Sequence, residues 1–123
     1  MNRFLGERFP KCNRVLRRLD YLDVQKNGLK VHSRGFVGLV RTRESGKVRL
    51  GIVTTKRIGN AVTRNRTRRL IREAFRRRWM QLPDSVDVVI IAKKKVTEMD
   101  SKTIFDDLAT LSRRVTRTME KCL

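Results

Sequence analysis

The chain has 123 residues, the usual size of one domain, and its 31 Lys and Arg residues outnumber 12 Asp and Glu, for a formal net charge of +19 at pH 7. Because so much like charge destabilises a compact domain by self-repulsion, we expect a polyanionic partner, and nucleic acid is the commonest one. No apolar run approaches the ~20 residues of a membrane-spanning helix, and the N-terminus lacks the apolar core of a signal peptide. The sequence therefore predicts a cytoplasmic protein that does not bind a membrane.

The first quarter of the chain divides into an arm and a helix. Residues 1–13 mix Gly, Pro and basic residues without a period, which predicts a flexible basic arm. From residue 14 to 26 the apolar residues recur at helical spacing, and Asn27 with Gly28 is typical of a helix C-terminal stop. We therefore place the folded domain at residues 14–123.

Two β-rich runs follow this helix. Residues 35–41 and 48–55 are rich in β-branched and large apolar side chains, and the segment 43–47, Arg-Glu-Ser-Gly-Lys, is typical of a hairpin turn. The two runs are therefore expected to pair with each other as antiparallel strands.

The second half of the chain predicts a helix, a strand and a helix. After a turn at residues 58–60, a helical pattern extends to about residue 80. Residues 86–92 are nearly all apolar, as expected for a strand buried on both faces. Asp100 or Ser101 is a suitable N-cap for the last helix. Its apolar positions keep a three- and four-residue spacing: Ile104, Leu108, Leu111, Val115 and Met119. The predicted order is α-β-β-α-β-α, with an optional further strand before the second helix, which is a single-domain α+β fold.

The run from residue 64 to residue 78 contains eight arginines and a single acid, Glu73. On a helix with about 100° per residue, one face is apolar and must pack on the sheet. This face consists of Leu70, Ile71, Ala74 and Phe75. The opposite stripe consists of Asn65, Arg69, Arg72 and Arg76. Arg64 and Arg68 lie on one shoulder, next to Phe75.

A solvated helix laced with salt bridges is the ordinary explanation of such a charge run. One glutamate does not neutralise eight arginines, so this explanation fails. Guanidinium groups also give bidentate phosphate contacts and stack on bases. A helix that reads a DNA major groove usually carries several amide or hydroxyl side chains among its arginines, and here only Asn65 and Thr67 qualify. The pattern therefore favours recognition of a nucleic-acid backbone and its shape.

The segment 54–76, TTKRIGNAVTRNRTRRLIREAFR, closely resembles the signature of the bacterial ribonuclease P protein component. The core of that signature is Arg-Asn-Arg, two further basic residues and Leu-Ile-Arg. The resemblance continues at residues 19–21, Leu-Asp-Tyr, at Phe36 with Val37, and at residues 87–92, and it covers roughly residues 16–118.

This resemblance implies a fold and a division of labour between protein and RNA. The family forms an α/β sandwich of the ribosomal protein S5 domain 2-like class, with a four-stranded sheet and a left-handed βαβ crossover, against the usual right-handed rule. Its large RNA subunit holds the active site and hydrolyses precursor tRNA with Mg²⁺ to leave the mature 5′ end. The protein is the non-catalytic subunit of this endoribonuclease, one per RNA subunit, and binds both that RNA and the 5′ leader of precursor tRNA.

The resemblance also implies roles for single residues where the motif matches. The catalytic-RNA-binding set is Lys56, Arg57, Asn60, Asn65, Arg66, Arg69, Arg72 and Arg76. The leader-binding set is Tyr21, Phe36, Arg64 and Arg68. Its two aromatic rings are expected to form a cleft floor, on which bases of any sequence stack. The alternatives are that Tyr21 packs at the edge of the core and that Phe36 is buried, as most Phe residues in strands are. Gln25 and Leu39 stand where the family often has an aromatic residue, so we expect fewer bases to stack in this chain.

Two other classes of protein remain open. A ribosomal or other structural RNA-binding protein is the first, and a stand-alone nuclease is the second. His32 is the only histidine, so a nuclease site with an imidazole acid and an imidazole base lacks its second member. Asp106 and Asp107 are adjacent on the last helix and point about 100° apart, which favours a structural role near the helix N-terminus over a metal pair. Cys12 and Cys122 belong to no CxxC pair, so no zinc site is predicted.

Overall fold

This computed structural model describes residues 24, 26, 28–42, 48–78 and 86–122. They form four strands and two long helices: β1 (Leu29–His32), β2 (Phe36–Thr42), β3 (Arg49–Val53), α1 (Ala61–Arg78), β4 (Val86–Ala92) and α2 (Ser101–Cys122). Short 3₁₀ turns at Lys56–Ile58 and Lys94–Glu98 precede α1 and α2. The predicted arm at 1–13, most of the predicted N-terminal helix and the 43–47 turn lie outside the described residues.

The four strands form one mixed sheet in the order β1-β2-β4-β3. β1 pairs with β2 and β2 with β4 in antiparallel fashion, whereas β3 and β4 are parallel. The expected pairing of the two β-rich runs, now β2 and β3, is therefore wrong, because β4 lies between them. β4 is buried along almost its whole length, and a strand that is apolar on both faces takes a central place in a sheet.

The sheet order makes β3, α1 and β4 a parallel βαβ unit, with α1 as the crossover. Four strands in one sheet with helices confirm the α+β fold that the resemblance implies. The handedness of the crossover stays an expectation. The sequence analysis missed β1: its residues Leu-Lys-Val-His alternate between apolar and polar, but a run of four is short, and Val31 is the only one of them that is buried.

The two faces of the sheet carry separate clusters of buried side chains. Phe36 and Ile90 lie on the face that packs against α1 and α2, and they belong to the main core. Leu39 and Val89 lie on the other face, where Val24 of the N-terminal segment packs on them. Two helices thus pack on one side of the sheet, and Val24 packs on the other side.

Each long helix begins at a polar cap. The Asn60 side-chain oxygen accepts the N–H of Thr63 at 3.0 Å, and the Asp100 carboxylate accepts the N–H of Thr103 at 2.8 Å. Such caps satisfy one of the free N–H groups at a helix start. The Asp100 cap is therefore confirmed. Gly59 precedes the first cap with φ 132°, a conformation that side chains disfavour, and so it turns the chain into α1.

The structure also tests the remaining helix predictions. The apolar positions predicted for the last helix are all buried in α2: Ile104, Leu108, Leu111, Val115 and Met119. Near the N-terminus, Val24 and Lys26 are helical, and the Gly28 N–H donates to the Val24 carbonyl at 2.8 Å. A Cβ on Gly28 would lie 2.5 Å from that carbonyl oxygen, so the close approach requires glycine at the predicted helix stop.

Candidate nucleic-acid interface

α1 has the two-faced character that its sequence predicts. Ile71, Ala74 and Phe75 are fully buried in the main core, and Leu70 packs against the same cluster while partly exposed. Asn65, Arg69 and Arg72 on the opposite side are exposed. The predicted apolar face and most of the predicted polar stripe are therefore confirmed.

Thr67 is one of the two side chains of α1 whose type would suit base reading, and the structure places it away from the exposed surface. It is fully buried, and its hydroxyl donates to the Thr63 carbonyl at 2.9 Å, one turn back along the helix. The rotation of α1 places this residue on the core side, beside Ile71, where a nucleic acid cannot reach it. Asn65 is thus the one candidate base reader left of the two.

An open groove of about 580 Å³ runs along the exposed side of α1. Its lining residues are Val62, Asn65, Arg66, Arg68, Arg69 and Arg72. Four of them belong to the set predicted for the catalytic RNA, and Arg68 belongs to the leader set. The structure thus brings Arg68 to the same groove as Arg69, whereas Arg64 of the predicted shoulder is half-buried and does not line it.

Val62 is a groove residue that the sequence analysis missed. It is 77% exposed, which is the largest exposure of a bulky apolar side chain among the described residues. The signal was present in the helical wheel, because residue 62 falls at about 60° from Asn65, on the polar side of α1. The groove therefore combines positive charge with one apolar contact.

A hydrogen bond fixes the shoulder of α1, formed by Arg64 and Arg68, against the end of the sheet. The Arg68 Nε–H donates to the Thr54 hydroxyl at 2.8 Å, directly after β3. The Nε atoms of Arg64 and Arg66 are buried without a hydrogen-bond partner within the described part of the chain. A phosphate oxygen does not reach these buried Nε atoms, so any phosphate contact of Arg64 or Arg66 is made through the terminal amino groups.

The loop before α1 presents its basic side chains to solvent. Lys56 and Arg57 form an exposed 3₁₀ turn that is closed by a bond from the Ile58 N–H to the Thr55 carbonyl at 3.1 Å. Asn60 follows and uses its carbonyl oxygen in the helix cap. Its side-chain amide N–H groups are not part of the cap and stay available as donors. All three residues therefore lie next to the groove end of α1.

Arg76 differs from the other members of its predicted stripe. Its guanidinium binds the Glu73 carboxylate, which also accepts the Arg77 Nε–H at 2.9 Å. The side chain of Arg76 is 24% exposed, and this residue does not line the groove. The hydrogen bonds with Arg76 and then with Arg77 hold the pKa of Glu73 below its usual value, so the carboxylate is ionised at neutral pH. Glu73 thus neutralises part of the last turns of α1.

The predicted aromatic floor of a leader cleft is not formed by Phe36. Its ring is completely buried in the main core, on the sheet face covered by the helices. Val37 and Leu39 lie on the other face, because successive strand residues alternate. The assignment of Phe36 to the leader-binding set is therefore wrong, because its buried ring offers no surface for a base to stack on. Tyr21 lies outside the described residues.

The carboxylates of the described residues mostly hold the fold together. Asp87 is 3% exposed and forms a two-pronged ion pair with Arg49, with both N–O distances at 2.7 Å. Asp107 accepts bonds from the Ser33 hydroxyl at 2.8 Å and from the N–H groups of Arg34 and Gly35 at 3.2 and 2.9 Å. Its expected structural role is confirmed, and it consists of holding the turn between β1 and β2.

A dedicated magnesium site does not fit the described residues. Mg²⁺ requires several oxygen ligands in octahedral geometry. No group of three or more His, Cys, Asp or Glu side chains in the described ranges could hold a metal ion. The groove instead gathers guanidinium groups, which do not serve as metal ligands. Within the same ranges, no helix has the length and apolar character needed to cross a bilayer.

Comparison with known proteins identifies the family. The Ribonuclease P family model matches residues 9–116. The chain belongs to the ribonuclease P protein family. The ribonuclease P protein component of Desulforapulum autotrophicum is 35% identical over 109 residues, which cover 89% of this chain and 93% of that protein. The ribonuclease P protein component of Thermotoga maritima is 34% identical over 115 residues, covering 90% and 98%.

Solved structures of ribonuclease P proteins share the fold. The Staphylococcus aureus RNase P protein superposes with a TM-score of 0.78 at 31% identity, covering 84% of this chain and 94% of that one. The RNase P protein from Thermotoga maritima gives a TM-score of 0.71 at 35% identity, covering 81% and 96%. The motif that first suggested the ribonuclease P family, residues 54–76, is thus the segment that forms α1 and the groove.

Proposed function

We propose that this chain is the protein subunit of a ribonuclease P ribonucleoprotein and assists removal of the 5′ leader from precursor tRNA. The observation that carries the proposal is the groove on α1, which gathers Asn65, Arg66, Arg69 and Arg72 in a member of this family. Their guanidinium groups suit bidentate contacts with RNA phosphates. The catalytic RNA is the partner assigned to this groove, together with Lys56, Arg57 and Asn60 beside it.

In this proposal the RNA subunit performs the hydrolysis. Mg²⁺ is expected to bind mainly to the RNA, since the described residues offer phosphate contacts and no cluster of metal ligands. The protein contributes binding energy and neutralises phosphate charge, one protein chain per RNA subunit. It acts in tRNA processing as a cytoplasmic RNA-binding subunit of an endonuclease.

The leader of precursor tRNA is assigned to the shoulder of α1 and the adjoining sheet face. Arg68 lies at the end of β3 through its bond to Thr54. On the sheet face opposite the helices, Val37, Val53 and Ile91 are partly buried neighbours in one row across β2, β4 and β3. Such a row gives a flat apolar surface for bases without sequence preference. Tyr21 remains the aromatic residue expected to face it.

The first experiment measures leader dependence. Holoenzyme is assembled from this chain and a bacterial ribonuclease P RNA, and its affinities for precursor tRNA and mature tRNA are compared. We expect tighter binding of precursor tRNA, because only it offers the leader. Equal affinities contradict the proposal and favour a structural RNA-binding protein. Cleavage at the mature 5′ end by the protein alone, with Mg²⁺, contradicts the assignment of catalysis to the RNA.

A second experiment separates the two RNA partners within the groove. We expect Arg69→Ala chiefly to weaken assembly with the catalytic RNA, and Arg68→Ala chiefly to weaken binding of leader-bearing precursor tRNA by the assembled enzyme. Arg113→Ala, an exposed arginine on α2, serves as the control for loss of one charge. If Arg68→Ala and Arg69→Ala behave alike in both assays, the groove binds one partner and the assignment of Arg68 to the leader fails.

A further inference from the structure

The last turns of α1 hold one arginine in an unusual setting. Arg77 is 62% exposed, and its Nε–H donates to the Glu73 carboxylate at 2.9 Å. Its guanidinium carbon also lies 5.9 Å from the ring centre of Phe105 on α2. Two contacts from two different helices therefore fix the orientation of a side chain that otherwise lies in solvent.

These contacts do not neutralise Arg77. Glu73 is shared with Arg76, so one carboxylate serves two guanidinium groups and a positive charge remains. Only the Nε–H and the guanidinium face of Arg77 are used in the described contacts. Both terminal amino groups therefore stay available, and they form the fork that binds a phosphate in bidentate fashion. A simple surface ion pair contributes little to stability, so it does not account for this setting.

The position of Arg77 connects it with the groove. Eleven residues separate Arg66 from Arg77, which places them within about 20° of each other around α1 and roughly 16 Å apart along its axis. Arg77 lies on the side of α1 that meets α2, as its contact with Phe105 shows. Arg66 forms the edge of the groove on this same side, and it acts on Asp100 at the start of α2. An RNA backbone that follows this edge of the groove along α1 therefore reaches Arg77.

We propose that Arg77 is a further phosphate-binding residue for the catalytic RNA and extends the interface from the groove to the seam between α1 and α2. Glu73 and Phe105 are positioning residues, because they act on the RNA only through Arg77. This inference rests on the proposed function of the groove. Arg77 and Phe105 lie outside the groove lining and outside the motif at 54–76, whereas Glu73 belongs to that motif.

The test measures affinity for the ribonuclease P RNA as a function of salt concentration. Arg77→Gln is compared with Arg113→Gln, which removes an equal charge from an exposed arginine of α2 whose only described side-chain bond is to Thr110. We expect Arg77→Gln to weaken binding about fivefold to tenfold and to lower the salt slope by roughly 0.7 to 0.9, the share of one phosphate contact. Arg113→Gln should leave the slope unchanged within error.

Phe105 variants test whether orientation matters apart from charge. Phe105→Leu keeps Arg77 charged but removes the ring, so we expect about a threefold loss of affinity with an unchanged salt slope. Phe105→Tyr keeps a ring under the guanidinium and should restore wild-type affinity. A merely structural role of Phe105 predicts instead that, for the folded proteins, Phe105→Leu binds the RNA as tightly as Phe105→Tyr and that the two variants differ only in thermal stability.

The outcomes separate this inference from the proposed function. If Arg69→Gln weakens RNA binding while Arg77→Gln equals Arg113→Gln, the groove stands and the role of Arg77 is refuted. If the wild-type chain fails to bind the RNA subunit, the proposed function itself fails. If Arg77→Gln leaves assembly intact and weakens only precursor tRNA binding, the catalytic RNA is the wrong partner for this surface, and the inference is overturned.

Discussion

α1 and α2 pack side by side on the same face of the sheet, yet they use their residues differently. α2 buries apolar side chains along its length, from Ile104 to Met119, and balances five basic residues with three acids. α1 carries eight arginines and one glutamate, and its fully buried apolar residues lie in its second half, from Ile71 to Phe75. The comparison indicates that α2 mainly stabilises the fold, whereas α1 buries fewer apolar side chains and exposes a charged surface.

The two caps follow the same division. Asn60 caps α1 with a neutral amide, while Asp100 caps α2 with a carboxylate. A carboxylate favours the positive end of a helix dipole more than an amide does. At the start of α1, however, a negative charge would lie next to the groove that begins at Val62, where phosphates are expected. The neutral cap therefore suits a helix whose N-terminal end binds RNA.

The largest expected effect is the loss of stability when a core side chain of α2 is truncated, which we compare with the removal of one charge from α1. Leu108→Ala removes a fully buried side chain and should lower the free energy of unfolding by about 3 kcal/mol, since most such changes lie between roughly 2 and 5. Arg69→Ala, at an exposed position of α1, should change it by less than about 0.5 kcal/mol. Urea denaturation measures both. The RNA affinity of the folded protein should fall more in Arg69→Ala than in Leu108→Ala. If Leu108→Ala has the larger effect on both stability and RNA affinity, α1 and α2 do not differ in role as described.

A somewhat smaller effect is expected at Asp107, which ties α2 to the turn between β1 and β2. In Asp107→Asn the three hydrogen bonds lose their charged acceptor. Hydrogen bonds to charged groups contribute roughly 1.5 to 3 kcal/mol to the free energy of unfolding. Because Asp107 is partly exposed, we expect a loss of about 1.5 kcal/mol in the free energy of unfolding. Asp106→Asn, at the exposed neighbouring position, is the matched control. Equal stability of the two variants refutes the role of the turn contact.

Asp107 also shows what local sequence patterns cannot supply. Its helical position predicts a structural role, but its partner turn begins at Ser33, far away in the sequence. The same limit explains the wrong pairing of β2 with β3, because the pattern of two neighbouring runs does not reveal that β4 inserts between them. Strand order depends on contacts between distant segments, and these become visible only in the folded chain.

Phe36 illustrates a second limit, which is the choice of face. β2 has apolar residues on both faces, so its pattern does not say which one Phe36 occupies, and the resemblance placed it on the wrong one. Thr67 is a different case, because it lies one turn before Ile71 and its position on the core side follows from the helical spacing. By contrast, the long regular spacing of α2 and the solid apolar run of β4 left a single arrangement, and both predictions are confirmed.

The caps allow a test with an effect on affinity but little on stability. Asn60→Asp keeps an oxygen that accepts the Thr63 N–H and adds a charge that favours the helix dipole by about 0.3 to 1 kcal/mol. The variant should therefore be as stable as the wild type or slightly more so. Its affinity for the ribonuclease P RNA should fall about threefold to tenfold, because a negative charge next to the groove repels phosphates.

The reciprocal change on α2 is the control for this prediction. Asp100→Asn also keeps a capping oxygen, and it removes a negative charge that acts on Arg66. RNA binding should not weaken in this variant. If Asn60→Asp binds RNA as tightly as the wild type, the neutral cap of α1 has no role in binding. The difference between the Asn60 and Asp100 caps then has no connection with function.

The smallest expected effect is the pH dependence contributed by the Asp100 cap. Hydrogen bonds from the Thr103 side chain and then from its backbone N–H hold the pKa of Asp100 below its ordinary value of 3.8. A carboxyl whose pKa is lowered on folding stabilises the protein above its unfolded pKa, and that stabilisation is lost as the pH falls through the lower folded pKa.

Asp100→Asn keeps the cap without a titrating group. Its urea midpoint should therefore decline less steeply than that of the wild type as the pH falls below about 4. Glu73 and Glu98, whose pKa values are also lowered by basic neighbours, still titrate in the variant, so part of the acid dependence remains. Identical pH profiles for the two proteins would show that the charge of Asp100 adds nothing to a cap that an amide provides equally well, as Asn60 does at the start of α1.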